Sequence, residues 1–156
     1  MKTLVLGVGS SVLSDDGVGL AVVRALEARA AARGAAACGD VSFALNEEGG
    51  FTLLEDALGH DRLIVVDAVL GPDPGRLTRF ALADLGPTVH SSAPHGLNLA
   101  TVLEFGRGQG LAVPREVVVY AVEIRDANLF GERLSPEVEA RLDEIVSAIE
   151  RELAGP

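Results

Sequence analysis

The chain has 156 residues, 48% of them hydrophobic and only 4% aromatic, with one Cys, no Trp and a formal net charge of −10. That length fits a single domain over 1–156 that buries about two-thirds of its unfolded surface, around an aliphatic core. The negative charge excludes nucleic acid and anionic membrane surfaces as partners, and the lone Cys38 excludes an internal disulfide or a cysteine-based metal site.

The first segment, TLVLGV (3–8), is continuously apolar and stopped by glycine, which predicts a buried strand. It runs into GVGSSVLSDDGVG (7–19), and a helix is predicted from Asp15 or Asp16 to about Arg33, with Val18, Val22, Ala25 and Leu26 on one face. GDVSFAL (39–45) predicts a second strand, GFTLLEDAL (50–58) a short helix and RLIVVDAVL (62–70) the clearest buried strand. GPDPG (71–75) is a turn, after which RLTRFAL predicts an edge strand antiparallel to its predecessor. HGLNLATVLEFG (95–106) predicts a helix and EVVVYAVEI (116–124) the last strand. SPEVEARLDEIVSAIEREL (135–153) reads as one amphipathic helix, capped by Ser135 with Pro136 at its first position. Its apolar stripe is Val138, Leu142, Ile145, Ile149 and Leu153, and segments 82–94 and 125–134 are left as loops.

Strand–helix alternation from end to end predicts a three-layer α/β/α domain. Its twisted sheet has about five strands, mostly parallel with one antiparallel. The N-terminus lacks the pattern of a signal peptide, and no run reaches the ~18 apolar residues of a membrane helix. The expectation is a cytoplasmic protein with no membrane insertion.

Ligands of open α/β sheets collect beyond the carboxyl ends of the strands. The Gly-rich stretch sits there but is a poor phosphate cradle. Gly7 and Gly9 occupy two offsets of the dinucleotide fingerprint, whereas Val12 occupies the third, and no Lys-Ser/Thr follows as in a P-loop. Asp15 and Asp16 are themselves anions at a helix start, where a phosphate would otherwise bind. One of them is accounted for as a helix cap; the second carboxylate is free to meet a cation.

Two other residues belong to the same end of the sheet. Asp67 closes the apolar run LIVVD, where a charge is costly unless a hydrogen bond or a function answers it. His95 opens a predicted helix, whose positive end favours the neutral imidazole that binds metal. Asp16, Asp67 and His95 together make a nitrogen and oxygen site for a divalent transition ion with open positions. Glu123, at the end of the last strand, is read as support for it, His60 as a solvent-facing helix-end residue, and His90 has no direction assigned. Nucleophilic chemistry has little basis: Ser10 and Ser11 lack a Gly-x-Ser-x-Gly context, Cys38 is read as a packing residue at the wrong end of the sheet, and no His-Glu-x-x-His helix occurs.

LGVGSSVLSDDGVG, LIVVDAV followed by GPDPGRL, SAPHGLNLATVL and the closing VEIRDANLFGERLSPEVEARL, in this order, resemble the nickel–iron hydrogenase maturation peptidases. The resemblance covers nearly the whole chain. It implies an endopeptidase that removes a C-terminal extension from a hydrogenase large-subunit precursor after nickel insertion. It also implies that Asp16, Asp67 and His95 contact that nickel, which belongs to the substrate and marks it for cleavage. Ser10 stands where the family has Asn, and LNEEGGFTLL lacks the family's Asp-Gly-Gly-Thr, a departure that bears on which hydrogenase is served. The alternatives are a non-catalytic nickel-binding or delivery module and a flavin- or nucleotide-binding domain.

Overall fold

In the computed structural model, which describes residues 1–34, 39–84 and 99–155, five strands form one sheet in the order β2-β1-β3-β5-β4. The strands are β1 (Thr3–Val8), β2 (Val41–Asn46), β3 (Arg62–Leu70), β4 (Leu77–Ala81) and β5 (Glu116–Ile124). The helices are α1 (Val18–Arg33), α2 (Phe51–Ala57), α3 (Leu99–Gly108), α4 (Pro136–Glu139) and α5 (Leu142–Ala154). β1, β2, β3 and β5 are parallel, while β4 pairs antiparallel with β5. The antiparallel edge strand is therefore present, but its ladder partner is β5 and not the preceding β3. The central β3 is already paired on both sides, by β1 and β5.

Alternation along the central strands divides the core in two. Val5, Ile64, Val66, Val118, Tyr120 and Val122 pack against α1, α4 and α5. Leu4, Leu6, Leu63, Val65, Val117 and Val119 pack against α2 and α3. The result is the expected three-layer α/β/α sandwich, with strands buried on both faces and hence nearly continuously apolar. None of the described helices is long and apolar enough to cross a membrane.

The C-terminal segment departs from the expected single helix. Ser135 does cap it, accepting from the Val138 N–H at 3.4 Å, with Pro136 in the first turn. After Glu139 the chain breaks at Ala140 and Arg141 and restarts as α5. No Gly or Pro announces the break. Arg141 instead donates to Asp73 Oδ1 at 3.1 Å and to the Pro74 carbonyl at 3.4 Å, an attachment to the 71–75 turn that local periodicity does not contain. α5 is fastened to α1 through Arg29, which donates to Ser147 at 3.1 Å and to Glu150 at 2.8 Å.

β1 sends its chain toward β2, whereas β3 sends its chain toward β4 and β5. The two outgoing loops diverge at the carboxyl ends of β1 and β3, the topological switch point at which such sheets bind ligands.

Candidate active site

Four glycines set how close the β1 loop comes to its neighbours. A Cβ on Gly19, in the first turn of α1, would lie 2.3 Å from the Val66 carbonyl oxygen and 2.5 Å from that of Val8. One on Gly9 would lie 2.1 Å from the Asp16 carbonyl, and one on Gly17 would lie 2.8 Å from that of Ser10. A Cβ on Gly7 would meet the Gly19 carbonyl at 2.6 Å. These glycines are filled against backbone, so the loop is folded onto itself and onto β3. They explain the Gly-rich spelling without a phosphate: the space a cradle would leave open is occupied by the protein's own peptide groups.

The compact loop ends in a 3-10 turn, Ser14–Gly17, which carries both aspartates ahead of α1. Neither caps a helix by a side-chain hydrogen bond, which corrects the expectation that one of them would. Their environments differ. Asp15 is buried, and its Oδ1 accepts the Ser135 N–H at 2.7 Å, across 120 positions of sequence. Asp16 is half-buried on the other side of the turn, and its carboxyl is raised above its ordinary value. Burial is the main cause and the negative charge of Asp67 the second, opposed by the Ser10 backbone N–H.

Asp67 is 8% exposed on β3, on the face that alternation assigns to α2 and α3, and its Oδ1 accepts the Ala68 N–H at 2.7 Å. The charge of Asp67, on β3, thus acts on the Asp16 carboxyl from a separate element at the same end of the sheet. His95, the third expected residue, lies outside the described residues, as do His90 and Cys38. Among the described residues no three His, Cys, Asp or Glu side chains form a metal-binding group. The pair offers carboxylate oxygens, a donor type that divalent ions accept.

Neighbouring segments fasten this loop from two sides. Glu47, just past β2, accepts the Ser11 N–H at 2.6 Å, and the Ser11 hydroxyl and N–H hold its carboxyl below the ordinary value. Glu47 is itself aimed by the buried Asn46, whose Oδ1 accepts the N–H groups of Glu48 and Gly49 at 3.1 and 2.7 Å. Asn46 Nδ2 donates in turn to Thr52 and Asp56 on α2 at 2.9 and 2.7 Å. On the other side Ser14 donates its N–H to the Gly131 carbonyl at 2.7 Å and its hydroxyl to the Arg133 carbonyl at 2.8 Å. Glu123 Oε2 accepts the Asp73 N–H at 2.9 Å, which holds the turn after β3. His60 is half-buried rather than solvent-facing, with Nε2 3.0 Å from Ser42 Oγ.

A family model described as hydrogenase maturation protease (HycI) matches residues 22–152. The chain belongs to the hydrogenase maturation protease family. A curated relative, hydrogenase 2 maturation protease of Escherichia coli, is 32% identical over 99% of this chain and 90% of its own length. That match reaches the acidic pair, which precedes the residues the family model covers. Among solved structures, the hydrogenase maturating endopeptidase HybD from E. coli is similar with a TM-score of 0.74 at 26% identity, over 96% of this chain and 90% of that one. A hydrogenase 2 maturation peptidase from Thaumarchaeota archaeon SCGC_AB-539-E09 is similar with a TM-score of 0.60 at 29% identity, over 96% and 95%. As a hydrogenase maturation protease the chain is a processing endopeptidase, and the α/β/α sheet described above is the frame its relatives share.

Asp16 and Asp67 are candidates from the sequence, whereas Asn46 and Glu47 join the loop only through contacts seen in the structure. The signal that could have found them is the polar stretch Asn46-Glu47-Glu48 closing a strand at the same end of the sheet as Asp67.

Proposed function

We propose that this maturation protease removes the C-terminal extension of a nickel–iron hydrogenase large-subunit precursor in the cytoplasm, once nickel has been inserted. Asp16, Asp67 and His95 contact the nickel, which arrives as part of the substrate. The observation that carries this reading is the opposed pair Asp16 and Asp67. The charge of Asp67 adds to the cost of ionising the half-buried Asp16, and a divalent cation bound beside them would offset it. A pair of oxygen ligands with one imidazole leaves positions for ligands supplied by the precursor itself. Recognition of the loaded state follows, because an unloaded precursor presents no charge to offset the two carboxylates. Nickel held here polarises a nearby peptide carbonyl or water toward hydrolysis, and the carboxylates fix the ion relative to the scissile bond.

The test is mass spectrometry of a large-subunit precursor incubated with the protein, with and without nickel loading. Loss of a C-terminal peptide only from the loaded precursor is expected. Equal cleavage of both forms would remove nickel recognition, and cleavage of neither would remove the substrate assignment. Asp16→Asn and His95→Ala are expected to abolish cleavage, with circular dichroism and thermal midpoint showing an intact fold.

A further inference from the structure

Most large apolar side chains are consumed by the two cores, yet three exposed ones gather beside the Asp16 turn. Phe130 is 83% exposed, Leu129 58% and Val12 50%. They come from two segments joined by a short parallel bridge between Leu13 and Gly131. The Gly131 N–H donates to the Val12 carbonyl at 3.0 Å, and Ser14 bonds back to Gly131 and Arg133 at 2.7 and 2.8 Å. Backbone hydrogen bonds thus brace the tip that displays Leu129 and Phe130. A braced apolar tip loses little conformational entropy when a partner covers it.

Charge and area narrow the occupant. The 125–134 segment carries Arg125 and Arg133 against Asp126 and Glu132, so it is neutral on a chain of net charge −10. A partner meets it by apolar contact without having to be basic. Three side chains offer on the order of 400 Å², short of the ~800 Å² that each partner contributes to a standard stable interface. That area is too small for a lasting dimer of this chain and suits an encounter that must dissociate each turnover. The tip adjoins the turn that presents Asp16, through the Leu13–Gly131 bridge and the Ser14 N–H on the Gly131 carbonyl.

We propose that Val12, Leu129 and Phe130 form a docking lip for an apolar surface of the folded precursor protein, which seats the precursor while its tail enters the site. This rests on the precursor-processing function proposed above. The lip governs capture of the substrate and leaves the chemical step to the carboxylates.

The experiment uses the full chain and a nickel-loaded large-subunit precursor, comparing the unaltered protein with Leu129→Ser/Phe130→Ser. Binding is read by surface plasmon resonance and cleavage by mass spectrometry over a range of precursor concentrations. Leu111→Ser, at an exposed residue after α3, is the control. The expected result is weaker binding and a KM raised about tenfold, with kcat and thermal midpoint unchanged and the control inert. Equal KM and equal binding in the double variant would overturn the lip. So would concentration-dependent self-association of the unaltered protein that the double variant loses, since the occupant would then be a second copy. Binding by the unaltered protein without cleavage would overturn the processing function while the binding comparison still judges the lip. Absence of binding would overturn both.

Discussion

The negative charge of Asp67 on β3 raises the proton affinity of the Asp16 carboxyl, which burial has already raised. The ionised Asp16 carboxylate at the switch point thus works against folding. For a carboxyl whose folded value lies above its unfolded one, the cost of ionisation is absent below the unfolded value and fully present above the folded value. Asp16→Asn removes that cost. Its thermal midpoint is expected to equal or exceed that of the unaltered protein at pH 7, and the gain should vanish on acidification below the ordinary carboxyl value of 3.8. A midpoint that drops at pH 7 would mean that Asp16 serves the fold rather than the site.

Cleavage is expected to fall on acidification, as that stability gain does, because both depend on the ionised Asp16 carboxylate. A cation competes with protons for the Asp16 carboxylate, so activity on a nickel-loaded precursor should fall as pH drops through the raised Asp16 value. It should fall at a higher pH than an ordinary carboxylate would dictate. The check is a kcat/KM profile at limiting precursor, which reports the free protein's carboxyl, with circular dichroism at each pH to separate loss of activity from loss of fold.

Asp15 is expected to behave unlike its neighbour. Asp15→Ala leaves the partly buried Ser135 N–H without its 2.7 Å acceptor, at a cost of about 1 kcal/mol. Asp15→Asn retains an acceptor oxygen and should recover a large part of that loss. Urea unfolding of both variants measures it, and equal stability in Asp15→Ala and the unaltered protein would contradict the anchoring role.

Gly19→Ala is expected to destabilise the protein by about 3 kcal/mol or more, because its Cβ would meet two backbone carbonyls at 2.3 and 2.5 Å that no rotamer change can move. Gly108→Ala, at the end of α3 with nothing within 4 Å of its added Cβ, should be neutral or slightly stabilising. Unfolding midpoints of the pair separate close backbone approach from a general intolerance of alanine.

Glu47→Gln tests the second fastening of the loop. Its carboxylate accepts the Ser11 N–H, and the weaker neutral acceptor should loosen residues 9–17. The expected outcome is slower cleavage with a nearly unchanged thermal midpoint, while Glu48→Gln leaves the rate unaltered.

Hydrophobic patterning by itself determined the strands and the three layers, because burial on both faces of the sheet writes a continuous apolar run at the central strands β1, β3 and β5. The position of Asp67 at the end of such a run and the acidic pair after a Gly-rich turn were equally local features, so both carboxylates could be named as candidates from spelling alone. Tertiary structure decided what local pattern does not encode. Asp15 and Asp16 are adjacent and chemically identical, and their surroundings divide them: Asp15 anchors the distant Ser135 N–H, while burial and the charge of Asp67 act on Asp16. β4 lies beside β5 because β3 is paired on both sides. The break between α4 and α5 carries Arg141, whose partners Asp73 and Pro74 lie far away in sequence. Asn46 and Glu47 gain their meaning only when β2 brings them beside the β1 loop. In each case the deciding interaction spans tens of residues, where a hydrogen bond or charge depends on a spatial neighbour that sequence spacing leaves unnamed.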